Sequence, residues 1–489
     1  MTDTSPAEKA PRERAVPMDR KVPGRVKFFF GFGAIAFGIK DNGFSLLLLI
    51  YYNQVIGVPA AIVGTAVLIA LVMDAFFDPI VGHMSDNLRT KWGRRHPFLY
   101  LSAIPAGLFF LLLWNPPEAS DTGMFFYILG IAFLVRVTMS CFEVPMAALG
   151  PELTSDYHER TRIFGLRFFF GWLGGATMLL FTFAVLLAPT EAYPDGQLNP
   201  QGYRDYAIIA SVIMSGAIML SAFGTHSEIK YLPQVERVRM TLGETFSGIF
   251  ASLRNRAFLI LMLGGFCANV SQGISFGLLT YFITYFWELS TSALAWYVFT
   301  LLFGILGAVI GSSMLSRRVG KPRAAAIFLV GAVILQPLPY IGRVLGIIPE
   351  NGDPMLMPTI LFFIAIGTGS LVAALILKSS MLTDVIEDDA EKTGRRSEGL
   401  FFAGQFFIQK CVSGGGVFIS AAILAFAAFP EQAVPGEVAD TVLTNLALIY
   451  VSLIVTLGLI AAYVMTRFPI KEADHHARIA RMRGLTETP

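Results

Sequence analysis

The chain has 489 residues, of which 54% are apolar and only 15% charged, and Phe alone occurs 42 times. That composition excludes a string of ordinary soluble domains, in which charged residues make up about 25%, and it excludes disorder outside the tails. A formal charge of +2, from 37 basic and 35 acidic residues, excludes the basic face that a nucleic-acid binder needs.

Twelve apolar stretches follow along the chain, each bounded by polar or Gly/Pro punctuation; about 20 residues cross a ~30 Å hydrocarbon core, and several stretches exceed that enough to imply tilt. The first six lie at 27–56, 59–84, 97–114, 123–150, 163–188 and 205–224. The second six lie at 257–287, 293–315, 324–344, 356–380, 398–428 and 441–466. The implied domains are an N-tail (1–26), an N-terminal six-helix bundle (27–224), a linker (225–256), a C-terminal six-helix bundle (257–466) and a C-tail (467–489). The expected fold class is all-α integral membrane.

Thirty of the 37 basic residues fall in the tails and in the loops that share a side with them, against Arg204 and Arg343 on the other side. This asymmetry predicts cytoplasmic N- and C-termini. The N-tail has no short apolar core with a cleavage site, so it does not read as a signal peptide. Within the linker, Met240 to Arg254 carries apolar residues at roughly helical spacing. An amphipathic helix on the inner membrane surface and a solvated linker helix fit it equally.

The two halves share a weak repeat. Gly82 to Arg95 follows span 2, and Gly311 to Arg323 follows span 8; each runs through Gly into a short basic loop with a second Gly, Gly93 or Gly320. Parallel repeats of six helices are the sequence trace of a transporter that alternates access by rocking.

The charges inside the spans carry the chemistry. Asp41 lies in span 1, Asp74 and Asp78 in span 2, Arg136 and Glu143 in span 4, Arg167 in span 5 and Lys410 in span 11. Each costs roughly 2.5–3.5 kcal/mol at mid-membrane on insertion scales, so each needs a partner, water or a function. Asp74 and Asp78 are one helical turn apart and share a face. Two carboxylates so placed repel and are relieved by a proton or a cation, as a coupling site requires; the alternative is that they neutralise Arg or Lys from neighbouring helices. Arg136 and Glu143 also share a face, with Ser140 between them. Lys40 and Asp41, as adjacent residues, point about 100° apart and are expected to meet different helices. Lys378, near the inner end of span 10, is expected to snorkel, and Gly171 to Gly175 and Ser413 to Gly416 are expected to permit close helix packing.

Asp74-Ala-Phe-Phe-Asp-Pro-Ile-Val-Gly82, the following loop from Ser85-Asp86 through Arg89 to Gly93-Arg94-Arg95, and Pro97 together resemble the glycoside–pentoside–hexuronide:cation symporters. These form the melibiose-permease-like branch of the major facilitator superfamily. Glu143-Val-Pro145 through Pro151-Glu-Leu-Thr154 to Glu159-Arg-Thr-Arg162 fits the same family, as do Met381 to Glu387 and Lys392 to Gly399. The resemblance covers about 27–466.

It implies a major facilitator fold of twelve helices in two bundles, in a bacterial inner membrane, working as a monomer on a sugar or glycoside. It further implies that Asp74 and Asp78, with Ser140 beside them, form the coupling-ion site. Glu143 stands where the family has a sugar-binding Asp. Arg167 and Lys410 match the sugar-site arginine and the lysine that links the sugar and cation sites. Asp41 sits about one turn from the family's span-1 sugar-binding Asp. Asp86, Arg89, Gly93, Arg94, Arg95 and Asp384 form the expected cytoplasmic gate.

One departure bears on the ion: Phe77 stands where sodium-using members carry an Asn. That removes an oxygen ligand and favours H+, with Na+ at Asp74 and Asp78 as the alternative ion and no other metal or cofactor. The alternative cargo is a lysolipid or another non-sugar solute on the same fold, against which the polar Glu143, Arg167 and Lys410 weigh. A sensor that binds without transporting is disfavoured by the short tails. An enzyme is disfavoured because no phosphate-loop, HExxH or cofactor fingerprint is present. Three cysteines in apolar stretches, Cys141, Cys267 and Cys411, give neither a disulfide framework nor a metal pattern.

Overall fold

A backbone in hydrocarbon has no water to bond to, so each apolar stretch closes its own hydrogen bonds as a helix. The computed structural model describes residues 21–154, 157–232, 243, 255–393 and 398–470. At 157, 158, 160, 161, 390–393, 398–400, 402, 403 and 406–414 it describes the backbone alone. All regular structure among these residues is helical. Of the expected linker helix between Met240 and Arg254 only residue 243 is among them, and of the tails only 21–26 and 467–470.

The first bundle contains α1 (Gly24–Ile56), α2 (Ala60–Asn87), α3 (His96–Leu113), α4 (Asp121–Leu153), α5 (Tyr157–Phe181) and α6 (Pro200–His226). The second contains α7 (Arg256–Phe286), α8 (Thr291–Val319), α9 (Lys321–Val344), α10 (Leu356–Thr393), α11 (Glu398–Phe426) and α12 (Asp440–Thr466). Eleven are long and apolar enough to cross a membrane, and the described apolar part of α11 is Gly415–Phe426. Asn199 and Asn255 cap α6 and α7 by accepting from the first free backbone N–H groups. Bulky apolar side chains such as Leu101, Val212, Phe303 and Leu306 stand exposed on the outside of the bundles, as lipid contact requires.

The repeat read in the sequence is a repeat of packing. In the first bundle α1 packs on α5 and α6, α2 on α4, and α3 on α4 and α6. In the second, α7 packs on α11 and α12, α8 on α10, and α9 on α10 and α12. Each of these contacts recurs six helices later. The tightest crossings recur as well: a Cβ on Gly38 would lie 2.0 Å from the Gly171 carbonyl oxygen, and one on Gly273 would lie 2.9 Å from the Gly416 Cα. The glycine clusters therefore serve close packing between α1 and α5 and between α7 and α11.

Three spans depart from regular α-helix at one end of the molecule. α1 ends as π-helix over Tyr51–Ile56, α7 over Phe282–Phe286, and α5 continues as π-helix over Thr182–Leu186. A second π segment, Gly43–Leu47, interrupts α1. The stretch at 324–344, expected to be one helix, is broken between Leu335 and Leu338, where Pro337 and Pro339 withhold two backbone donors.

At this same end the bundles are sewn together. Tyr281 donates to Asn53 Oδ1 at 2.9 Å and Tyr285 to Gln54 Oε1 at 3.0 Å. Gln54 Oε1 also accepts from the Ala433 amide at 2.9 Å, and Gln54 donates to the Pro430 carbonyl at 3.0 Å. Gly64 on α2 lies against Ala421 and Phe418 on α11, where a Cβ would come within 2.5 Å of the Ala421 side chain. All four polar side chains of this seam are buried.

Candidate functional site

The opposite end is held by charge within each bundle. Gly93, with φ +73°, turns the chain so that Arg94 and Arg95 both reach Glu152 at the end of α4, each at 2.8 Å. Arg95 also bonds Ser85 and pairs with Asp86, tying α2, α3 and α4 into one knot. In the second bundle Gly320, with φ 81° and ψ 155°, turns the chain so that Lys321 reaches Asp384 on α10 at 2.7 Å. Glycine, then a base, then an acid on the helix two further on: the repeat extends to its ion pairs. Of the expected gate residues, Asp86, Arg94, Arg95 and Asp384 thus make bonds inside their own bundles. Arg89 is exposed, with an interaction of its own. Glu152, the hub of the first knot, was not among the expected gate residues.

Midway along the first bundle the spans bring seven charged groups together: Lys40 and Asp41 on α1, Asp74 and Asp78 on α2, Arg136 and Glu143 on α4, and Arg167 on α5. Asp74, 2% exposed, accepts from Ser140 Oγ at 2.8 Å, and its other oxygen faces Arg136 Nη1 at 3.6 Å. Ser140 and Arg136 are one turn apart on α4, so a single helix face serves both carboxylate oxygens. Phe44 on α1 covers the guanidinium, its ring centroid 4.9 Å from Cζ. Asp74 is thus paired with an arginine of a neighbouring helix. Asp78 is half-buried.

Lys40 and Asp41 diverge as their spacing requires. Lys40 turns to Glu143, with Nζ 3.6 Å from Oε1, and lies over the Phe37 ring at 4.6 Å. Asp41 is exposed although it lies in the middle of its span. Arg167 is half-buried and interacts electrostatically with Glu143. Among the described residues, buried Glu143 Oε1 and Arg136 Nε have no hydrogen-bond partner, although Glu143 Oε1 faces Lys40 Nζ. With all seven groups ionised, four carboxylates face three cations. Lys410 lies on α11, and its side chain is outside the described residues.

Two cations in this cluster, Lys40 and Arg136, had no role assigned from the sequence. Their signal was present as charge within the spans, but choosing a partner needs the helix rotation. A third intramembrane cation departs from expectation. Lys378 does not snorkel: it is 6% exposed, and its stem crosses Gly265 on α7, where a Cβ would meet its Cδ at 2.6 Å.

The family profile described as MFS/sugar transport protein matches residues 29–472. The chain is 26% identical to an uncharacterized symporter of Synechocystis sp., over 84% of this chain and 87% of the relative. It is 27% identical to the isoprimeverose transporter of Lactiplantibacillus pentosus, over 86% and 84%, and 24% identical to the glucuronide carrier protein homolog of Escherichia coli, over 88% and 90%. Its fold is that of the inward-open xylose transporter XylE of E. coli, with TM-score 0.57 and 12% identity over 94% of this chain and 99% of that one. A variant of the nucleoside transporter NupG gives TM-score 0.62 and 13% identity over 91% and 100%. The protein is therefore a multi-pass membrane transporter rather than an enzyme, and it belongs to the MFS/sugar transport protein family of the major facilitator superfamily.

Proposed function

We propose that the chain imports a sugar or glycoside together with a proton, by alternating access across a bacterial inner membrane, as a monomer with both termini in the cytoplasm. The observation that carries this reading is the mid-membrane cluster. Charged acceptors and donors at Asp41, Glu143, Arg136 and Arg167 suit hydroxyl groups, which donate and accept at once. Asp74, Asp78 and Ser140 supply the coupling set, and Lys410 on α11 is the proposed link from the second bundle. The named cargo of one relative, isoprimeverose, supports a sugar class.

The orientation rests on the basic residues concentrated at the end bearing Arg94, Arg95 and Lys321. In that orientation the Asn53/Gln54 seam closes the outer end, and the Glu152 and Asp384 ion pairs stiffen the inner ends of the two bundles as parts of the cytoplasmic gate. The test is uptake of a panel of radiolabelled mono- and disaccharides in reconstituted vesicles under an imposed proton gradient. Concentrative uptake of at least one sugar, lost in Asp74→Asn and Asp78→Asn, is the expected result. Full accumulation in both variants sinks the coupling site, and no uptake of any sugar sinks the cargo class.

A further inference from the structure

Asp74 sits at mid-span and is almost wholly buried, so an unpaired negative charge there is costly in every state of the protein. A proton or an alkali-metal ion relieves such a charge reversibly. A guanidinium does so permanently, because arginine keeps its proton at any physiological pH. Three observations put the guanidinium of Arg136 in that position. Its Nη1 lies 3.6 Å from Asp74 Oδ2. The second carboxylate oxygen is already taken by Ser140 Oγ at 2.8 Å. The guanidinium is held by the Phe44 ring of α1, so the pair spans three helices.

A bare metal ion needs oxygen ligands in place of its water shell. Phe77, between the two aspartates in sequence, packs its ring edge-on against Phe133 of α4 at 5.8 Å and supplies no oxygen. Na+ therefore does not fit beside Asp74 while Arg136 is in place.

We propose that Arg136 is the resident counter-cation of Asp74, which makes the coupling site insensitive to sodium and the residue at position 136 the determinant of ion choice. The proposal rests on reading Asp74 and Asp78 as the coupling site. Its corollary is a gain of function: with the guanidinium removed, Asp74, Asp78 and Ser140 become an oxygen-lined site that Na+ enters with water in the vacated space.

The experiment measures thermal unfolding of the purified full-length chain in detergent, in NaCl against choline chloride at equal ionic strength. The wild type is expected to show no difference, and Arg136→Gln a midpoint several degrees higher in Na+. Asp74→Asn combined with Arg136→Gln should lose that shift. A sodium-dependent shift in the wild type overturns the proposal, as does a folded Arg136→Gln that ignores sodium, or a double variant that keeps the shift. Should Arg136→Gln be unstable, recovery of folded protein only in Na+ supports the proposal, and recovery in neither salt overturns it. The readout is ion binding, so failure of sugar uptake leaves this proposal standing, while a wild-type sodium shift leaves the sugar reading standing.

Discussion

Lys40 of α1 and Glu143 of α4 face each other at 3.6 Å, both nearly buried, while Asp41 beside Lys40 is exposed. Neighbours in sequence thus have different surroundings, one pairing across two helices and the other exposed. Lys40→Met should destabilise the protein by about 3 kcal/mol, the lower end for breaking a buried pair, because Arg167 also compensates Glu143. Lys40→Met with Glu143→Met should recover most of that loss. Thermal unfolding in detergent reads both, and a Lys40→Met protein as stable as the wild type would count against the pair.

The outer seam should set how often that end opens. Tyr285→Phe removes one bond to Gln54 and one to the Ala433 carbonyl, at 3.0 and 3.3 Å. A net loss of about 1 kcal/mol is a factor of about five in the opening equilibrium. A cysteine at Leu279, in a background without the native cysteines, should then react about fivefold faster with a membrane-impermeant thiol reagent. Gln54→Leu should exceed this, since Gln54 bonds Tyr285, Ala433 and Pro430. Equal rates in all three proteins would mean that the seam does not restrain the end.

The two loop glycines differ in what they demand. Gly320 combines φ 81° with ψ 155°, a region open essentially to glycine alone. Gly320→Ala should cost about 1–3 kcal/mol. Gly93, at φ +73°, tolerates Asn better, because Asn adopts the left-handed region at little cost. Gly93→Asn should keep near-normal stability where Gly320→Asn does not, as read by melting temperature; the reverse order would refute the assignment.

At the inner knot, Arg95 is buried and reaches Glu152, Asp86 and Ser85, whereas Arg94 reaches Glu152 from a more exposed position. Arg95→Ala should cost about 3 kcal/mol and Arg94→Ala about 1 kcal/mol. Equal losses would show that Arg95 does not hold the knot together.

How far the sequence carried this reading follows from what each signal depends on. Span length and apolar content are local, so all twelve helices were legible, as was the repeat through Gly93 and Gly320. Span membership is also local, so the charges at Asp41, Asp74, Glu143 and Arg167 could be recognised as intramembrane before any geometry was known. Partner choice is tertiary. Nothing in the sequence says that Arg136 turns to Asp74 and Lys40 to Glu143 rather than the reverse, or that Arg94 and Arg95 converge on Glu152. The break in α9 was visible as Pro337 and Pro339, yet a run of apolar residues on either side outweighed it. Lys378 misled because a lysine near the end of a span ordinarily reaches for water, and only the space above Gly265 lets it stay inside.

The seam at the outer end is built from Asn53, Gln54, Tyr281 and Tyr285, none of which carries a charge. A membrane potential does work only on charge that moves through it, about 2.3 kcal/mol per elementary charge per 100 mV. Breaking and remaking this seam is therefore electrically silent. Any voltage dependence of the transport cycle has to originate in charged groups elsewhere, the cluster around Asp74 and Glu143 and the buried Lys378 among them, so current recordings are blind to the seam itself.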